Sequence, residues 1–131
     1  MTRLLLDTTF LIDAERSQFN LDDVIADEDD VAIAAITVAE VQVGVELATG
    51  KTRRRRLELL DEVVASIPIL DYDLAVARVH AQLLVIVRRQ GRPRGSHDLI
   101  IAATALSSGR SLVTAAEKAF MELGVVTISY R

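Results

Sequence analysis

Short apolar runs of β type alternate along this chain with longer stretches of helical periodicity. Residues 3–6, 31–36, 67–70, 111–113 and 125–129 read as strands, and most of these runs are continuous rather than alternating, the pattern of parallel strands buried on both faces. Between them the spacing predicts helices over 9–16, 21–27, 38–48, 53–65, 74–90, 97–108 and 117–123. Strand and helix taking turns give an α/β class, a parallel sheet flanked by helices on both faces. No internal repeat or low-complexity tract interrupts it, and the strongest breaker is Gly91-Arg92-Pro93-Arg94-Gly95. In the helix predicted over 74–90, Leu83, Leu84, Val85, Ile86 and Val87 follow one another, so apolar positions surround it. Such a helix is expected to be buried on several sides, either as a central core helix or as one that also supplies a dimer or partner interface.

The chain has 131 residues, half of them hydrophobic, which suits a single domain over 1–131 with a continuous core. Cysteine is absent, which excludes a disulfide, a thiolate metal site and a cysteine nucleophile, and fits a cytoplasmic protein. Asp7 and Asp13 cut the first two apolar stretches, so neither reads as a signal-peptide core. No run approaches the roughly 18 apolar residues of a membrane span. The net charge of -4 argues against passive nucleic-acid binding through bulk charge, but the cations are concentrated. Arg53, Arg54, Arg55 and Arg56 are consecutive, Arg88, Arg89, Arg92 and Arg94 form a second group, and Lys51 and Lys118 are the only lysines. A mean hydropathy of +0.29 points to apolar surface covered by a partner.

Three acids stand at predicted helix starts. Asp7 ends the first strand, Glu40 follows the second by a few residues, and Asp98 comes soon after Gly95-Ser96. In an open α/β sheet, ligands bind beyond the carboxyl ends of the strands, where all three can converge. Each acid alone has a plainer explanation, because the helix dipole favours carboxylates in a first turn. Thr37-x-x-Glu40 and Thr114-x-x-Glu117 also have the spacing of a capping box.

Read together, Leu5-Leu6-Asp7-Thr8, Thr37-Val38-Ala39-Glu40-Val41 with Gly44 beyond, and His97-Asp98-Leu99-Ile100-Ile101-Ala102-Ala103-Thr104-Ala105 resemble the PIN domain. The likeness extends through Gly109-Arg110-Ser111-Leu112-Val113-Thr114, and length and spacing resemble the single-domain VapC toxins of bacterial toxin-antitoxin pairs. The resemblance implies a five-stranded parallel sheet, an endoribonuclease with a Mg²⁺ or Mn²⁺ site, a homodimer, and a hetero-oligomer with an inhibiting cognate VapB-type antitoxin. It makes Asp7 and Asp98 metal ligands, Glu40 a ligand or a base for the attacking water, and Thr8 and Thr114 hydrogen-bonding members of the site. Crowded carboxylates raise one another's pKa unless a cation compensates them, and hard oxygen ligands suit these two ions. A histidine metal centre does not fit: His80 falls inside the apolar helix, and His97 is an accessory residue or an ordinary loop histidine.

One position departs from the family pattern. An acid or amide is expected two residues after Thr114, and Ala116 stands there. Either Glu117 substitutes from next door, or three acids suffice, or Ala116 marks an inactivated or degenerate site. Arg53 to Arg56 follow Thr52, a candidate N-cap, which would place cations where the dipole disfavours them. RNA or an acidic antitoxin segment would explain the placement, as would a solvated face balanced by Glu58, Asp61 and Glu62. Arg92 and Arg94 are the next candidates for RNA. With three Phe, two Tyr and no Trp, recognition should rest on shape and backbone rather than stacking. Two rivals remain: a catalytically silent PIN module that acts by binding, and a phosphoacceptor receiver domain, which lacks support because no lysine follows the last strand.

Overall fold

The computed structural model describes residues 2–16 and 25–130. Strand β1 (Arg3–Leu6) leads into helix α1 (Thr8–Glu15), and β2 (Asp30–Ala34) leads without a gap into α2 (Ala35–Leu47). Helix α3 (Gly50–Ser66), β3 (Ile69–Leu70), α4 (Leu74–Gln90) and α5 (Ser96–Ser107) follow, then β4 (Ser111–Val113), a 3-10 turn (Glu117–Phe120) and β5 (Thr127–Ile128). The sheet has five strands in the order β3-β2-β1-β4-β5, and every neighbouring pair is parallel. The chain thus winds outward from β1 to β3, returns, and winds outward the other way through β4. Strand order reverses between β1 and β4.

The three leucines of β1 account for the layers. Leu5 points into a core with Val76 and Leu83 of α4 and Leu99, Ala102 and Ala103 of α5. Leu4 and Leu6 point the other way, into a second core with Phe10 and Leu11 of α1 and Val63 of α3. All three are nearly inaccessible to solvent, so a continuous apolar run on a two-fold repeat fills both faces.

Several boundaries differ from the expectation. The strand read over 31–36 stops at Ala34, whose extended backbone caps α2, so Ile36 and Thr37 are already helical. The predicted helix over 21–27 lies mostly outside the described residues, and Ile25 to Asp27 belong to no helix. The helix expected over 117–123 shortens to the 3-10 turn, because Glu122 at φ 64° and Gly124 at φ 81° adopt the left-handed conformation that ends a helix. The α4 expectation is corrected too. Val76 and Leu83 are buried against α5, but Leu84, Val85 and Ile86 are 36 to 42% exposed, so α4 covers one side of the core and presents an apolar face outward. Among the described residues no helix is long and apolar enough to cross a membrane.

Candidate active site

Asp7 is carried at the carboxyl end of the central strand. Its backbone N–H donates to the Val113 carbonyl at 2.9 Å, and its own carbonyl accepts from Phe10 and Leu11 as α1 begins. The side chain is 3% exposed and makes no N-capping bond to the helix it starts. Instead Oδ2 accepts from Thr114 Oγ1 at 2.7 Å and from Thr9 Oγ1 at 3.1 Å. Burial pushes the Asp7 carboxyl above its ordinary value, the hydroxyls of Thr114 and Thr9 and the Thr8 backbone N–H pull the other way, and the Glu40 charge adds to the rise.

Glu40 stands in the second turn of α2. Thr8 Oγ1 donates to Oε1 at 2.8 Å, and His97 Nδ1 lies 3.6 Å from Oε2. Thr37 is fully buried and sits 3.4 Å from the Thr8 hydroxyl, so it caps nothing and the capping-box explanation of Glu40 fails. Asp98 is the third residue of α5 and half-buried. Its carboxyl is likewise raised, by burial first and then by the charges of Asp7 and Glu40, against which His97 acts. Gly95 makes room for it: a Cβ there would lie 2.9 Å from Asp98 Oδ2. Each of the three acids therefore acts on another, at the edge where strand order reverses. Among the described residues no group of three or more acidic or histidine side chains is gathered closely enough to hold a metal ion as the side chains stand.

A PIN domain family model matches residues 4–125. The chain belongs to the PIN domain family. It is 31% identical over 131 residues to a tRNA(fMet)-specific endonuclease VapC of Shigella flexneri, covering 95% of this chain and 94% of that one. Its fold superposes with a TM-score of 0.88 on VapBC2 from Rickettsia felis bound to a DNA fragment from their promoter, at 22% identity over 99% of this chain and 100% of the other. With VapBC-5, a member of the VapBC family of toxin-antitoxin systems from Mycobacterium tuberculosis, the TM-score is 0.78 at 29% identity, covering 100% and 99%.

As a PIN domain the chain still has Ala116 where an acid or amide is expected. The Ala116 N–H donates to Thr114 Oγ1 at 2.9 Å, and Ala116 rather than Thr114 caps the 3-10 turn, so the capping box with Glu117 does not form. Glu117 is exposed, and the charges acting on Asp98 are those of Asp7, Glu40 and His97.

The arginines fare unevenly. Helix α3 starts at Gly50 with Thr49 as its cap, so Thr52 is not the cap and the run occupies the second turn. Arg55 pairs with Glu15 at 2.6 Å, Arg53 with Glu46 at 3.4 Å, and Arg56 donates to the Gly44 carbonyl at 2.9 Å, so α1 and α2 supply the balance expected from Glu58, Asp61 and Glu62. Arg54 is exposed and makes no side-chain hydrogen bond or ion pair among the described residues. Arg92 pairs with Glu122, while Arg94 donates to the carbonyls of Lys118, Ala119 and Met121 at 2.9 to 3.2 Å, which fixes the turn after β4. The sequence reading missed Thr9. The signal was there in a second hydroxyl beside Asp7, two residues from a strand end.

Proposed function

We propose that this PIN domain is a divalent-metal-dependent endoribonuclease that acts as the toxin of a toxin-antitoxin pair and is held in check by a VapB-type antitoxin in the cytoplasm. The observation that carries the reading is the coupled acidic edge: Asp7, Glu40 and Asp98 with two carboxyls raised by burial and mutual repulsion. An all-oxygen set of carboxylates, Asp7 buried and Glu40 and Asp98 half-buried, is the chemistry that Mg²⁺ or Mn²⁺ satisfies. Such an ion, when bound, polarises a phosphodiester and favours deprotonation of water.

The chain's own residues do the rest. Asp7 and Asp98 hold the charge that anchors the ion. Glu40 Oε1 is pinned by the Thr8 hydroxyl, which leaves Oε2, on the His97 side, to accept the proton of the attacking water. The water oxygen forms the new bond to phosphorus as one P–O ester bond breaks. Arg54, exposed and without a side-chain partner among the described residues, is the arginine of the run left to meet the RNA backbone. The apolar face of α4 is available to a second copy.

The test is cleavage of a mixed RNA pool with Mg²⁺ or Mn²⁺, with and without EDTA, beside Asp7→Asn, Asp98→Asn and Ala116→Asp. The chain is expected to cut only with metal, the two Asn variants to lose at least about 100-fold in rate, and Ala116→Asp to cut faster than the original. RNA left whole under every condition, by Ala116→Asp as well, would sink the nuclease and favour the silent binding module. Equal rates for Ala116→Asp and the original would exclude position 116 from the site.

A further inference from the structure

Asp7 occupies an N-cap position without a side-chain capping bond, and beside the Thr8 backbone N–H its carboxylate meets two threonine hydroxyls from opposite sides of the β1–β4 junction. Both donate to the same oxygen, Oδ2, at 3.1 Å from Thr9 and 2.7 Å from Thr114. Each hydroxyl in turn accepts from a backbone N–H of the turn after β4: Ala115 donates to Thr9 Oγ1 at 3.1 Å and Ala116 to Thr114 Oγ1 at 2.9 Å. The two Oγ1 atoms lie 3.4 Å apart.

This arrangement fixes directions as well as distances. A threonine hydroxyl has one proton, and an N–H that occupies its acceptor side leaves that proton to point at Asp7. Two donors converge on one carboxylate oxygen, so the carboxylate cannot rotate without straining both bonds. We propose that Thr9 is a positioning residue of the acidic site, which locks the Asp7 carboxylate by Oδ2 so that Oδ1 is the oxygen offered to a divalent cation. Thr9 acts through Asp7 and through the Ala115 amide, and it touches no reacting atom itself. The same lock explains how the turn after β4 is held to the site without an acid at position 116: the backbone amides of Ala115 and Ala116 make the connection, and a methyl side chain at 116 does not disturb it.

The assignment rests on the metal reading of the preceding subsection, and the experiment separates the two. Mn²⁺ affinity is measured by electron paramagnetic resonance on the full chain, Thr9→Val and Thr9→Ser, with the thermal midpoint of each in the absence of metal. Thr9→Val keeps the shape and removes the hydroxyl, and it should weaken Mn²⁺ binding about 10-fold or more, as loss of a hydrogen bond that orients a ligand does. Thr9→Ser keeps the hydroxyl and should recover most of the affinity. Unchanged Mn²⁺ affinity in Thr9→Val would overturn the proposal. So would equal weakening in both variants together with a lowered midpoint, which would make Thr9 a packing residue. If the original chain itself bound no Mn²⁺, the metal reading would fall and take this assignment with it.

Discussion

A buried carboxylate whose folded pKa is raised makes stability depend on pH in the opposite sense from an ordinary salt-bridged acid. Asp98 is raised above its ordinary value of 3.8 by burial, Asp7 and Glu40. The folded state holds its proton more tightly than the unfolded chain does, so its contribution is full below that ordinary value and is lost as pH rises through the folded one. Asp98→Asn removes the penalty. Without metal the variant should therefore melt above the original at neutral pH and show no such advantage in strong acid. Mn²⁺ should reverse the order, since an ion that binds only the native state adds about 2.7 kcal/mol at 100 times its Kd. Thermal melts across pH, with EDTA and then with Mn²⁺, check both signs. A variant less stable than the original at neutral pH without metal would mean that hydrogen bonding, not repulsion, governs this carboxyl.

At the scale of elements, what was legible in the sequence was whatever depends on local pattern. The leucines of β1 announce a strand buried on two faces, and Asp7 announces the strand's end. The capping-box alternative at Thr37 fails because it is a four-residue pattern, whereas the true helix start depends on where β2 stops pairing with β3 at Ala34 and Leu70. The structural partners of Arg94 were not legible, because they lie 24 to 27 residues away and are backbone carbonyls with no signature of their own. The acidic trio was visible as three acids near helix starts, and the Thr9 hydroxyl stood beside Asp7, but the bond that ties it to Ala115 spans 106 residues and left no local mark. These different bonding states separate two arginines that sequence treats alike. Arg54→Ala should reduce the salt slope of RNA binding by about 0.7, one single-strand phosphate contact, and leave stability untouched. Arg94→Ala should cost about 1 kcal/mol in denaturant unfolding, for hydrogen bonds lost at the turn, and leave the salt slope unchanged. Binding isotherms at several salt concentrations beside unfolding curves distinguish them, and the reverse pattern would exchange their roles.

For the whole molecule, the apolar sequence of α4 told how much of the helix is hydrophobic but not which side the core would take. The core takes Val76 and Leu83, and Leu84, Val85 and Ile86 remain outside. Replacing both Val85 and Ile86 with Glu should shift sedimentation toward monomer while unfolding free energy changes by under about 0.5 kcal/mol per site, the usual scale for surface positions. A sedimentation profile identical to the original at micromolar concentration would remove this face from the self-association surface.

The reversal of strand order between β1 and β4 also sets a timetable. A ribosome makes Thr114, which holds the Asp7 carboxylate, 107 residues after Asp7 itself. At about 5 to 20 residues per second, roughly 5 to 20 s of translation separate the two. Strand β1 waits all that time for its β4 neighbour, and a contact so distant along the chain closes late in folding as well. The proposed RNA-cutting centre, built across that junction, cannot form while the stretch between Asp7 and Thr114 is still being translated. A chain still being made across that stretch therefore cannot cut the transcript that encodes it.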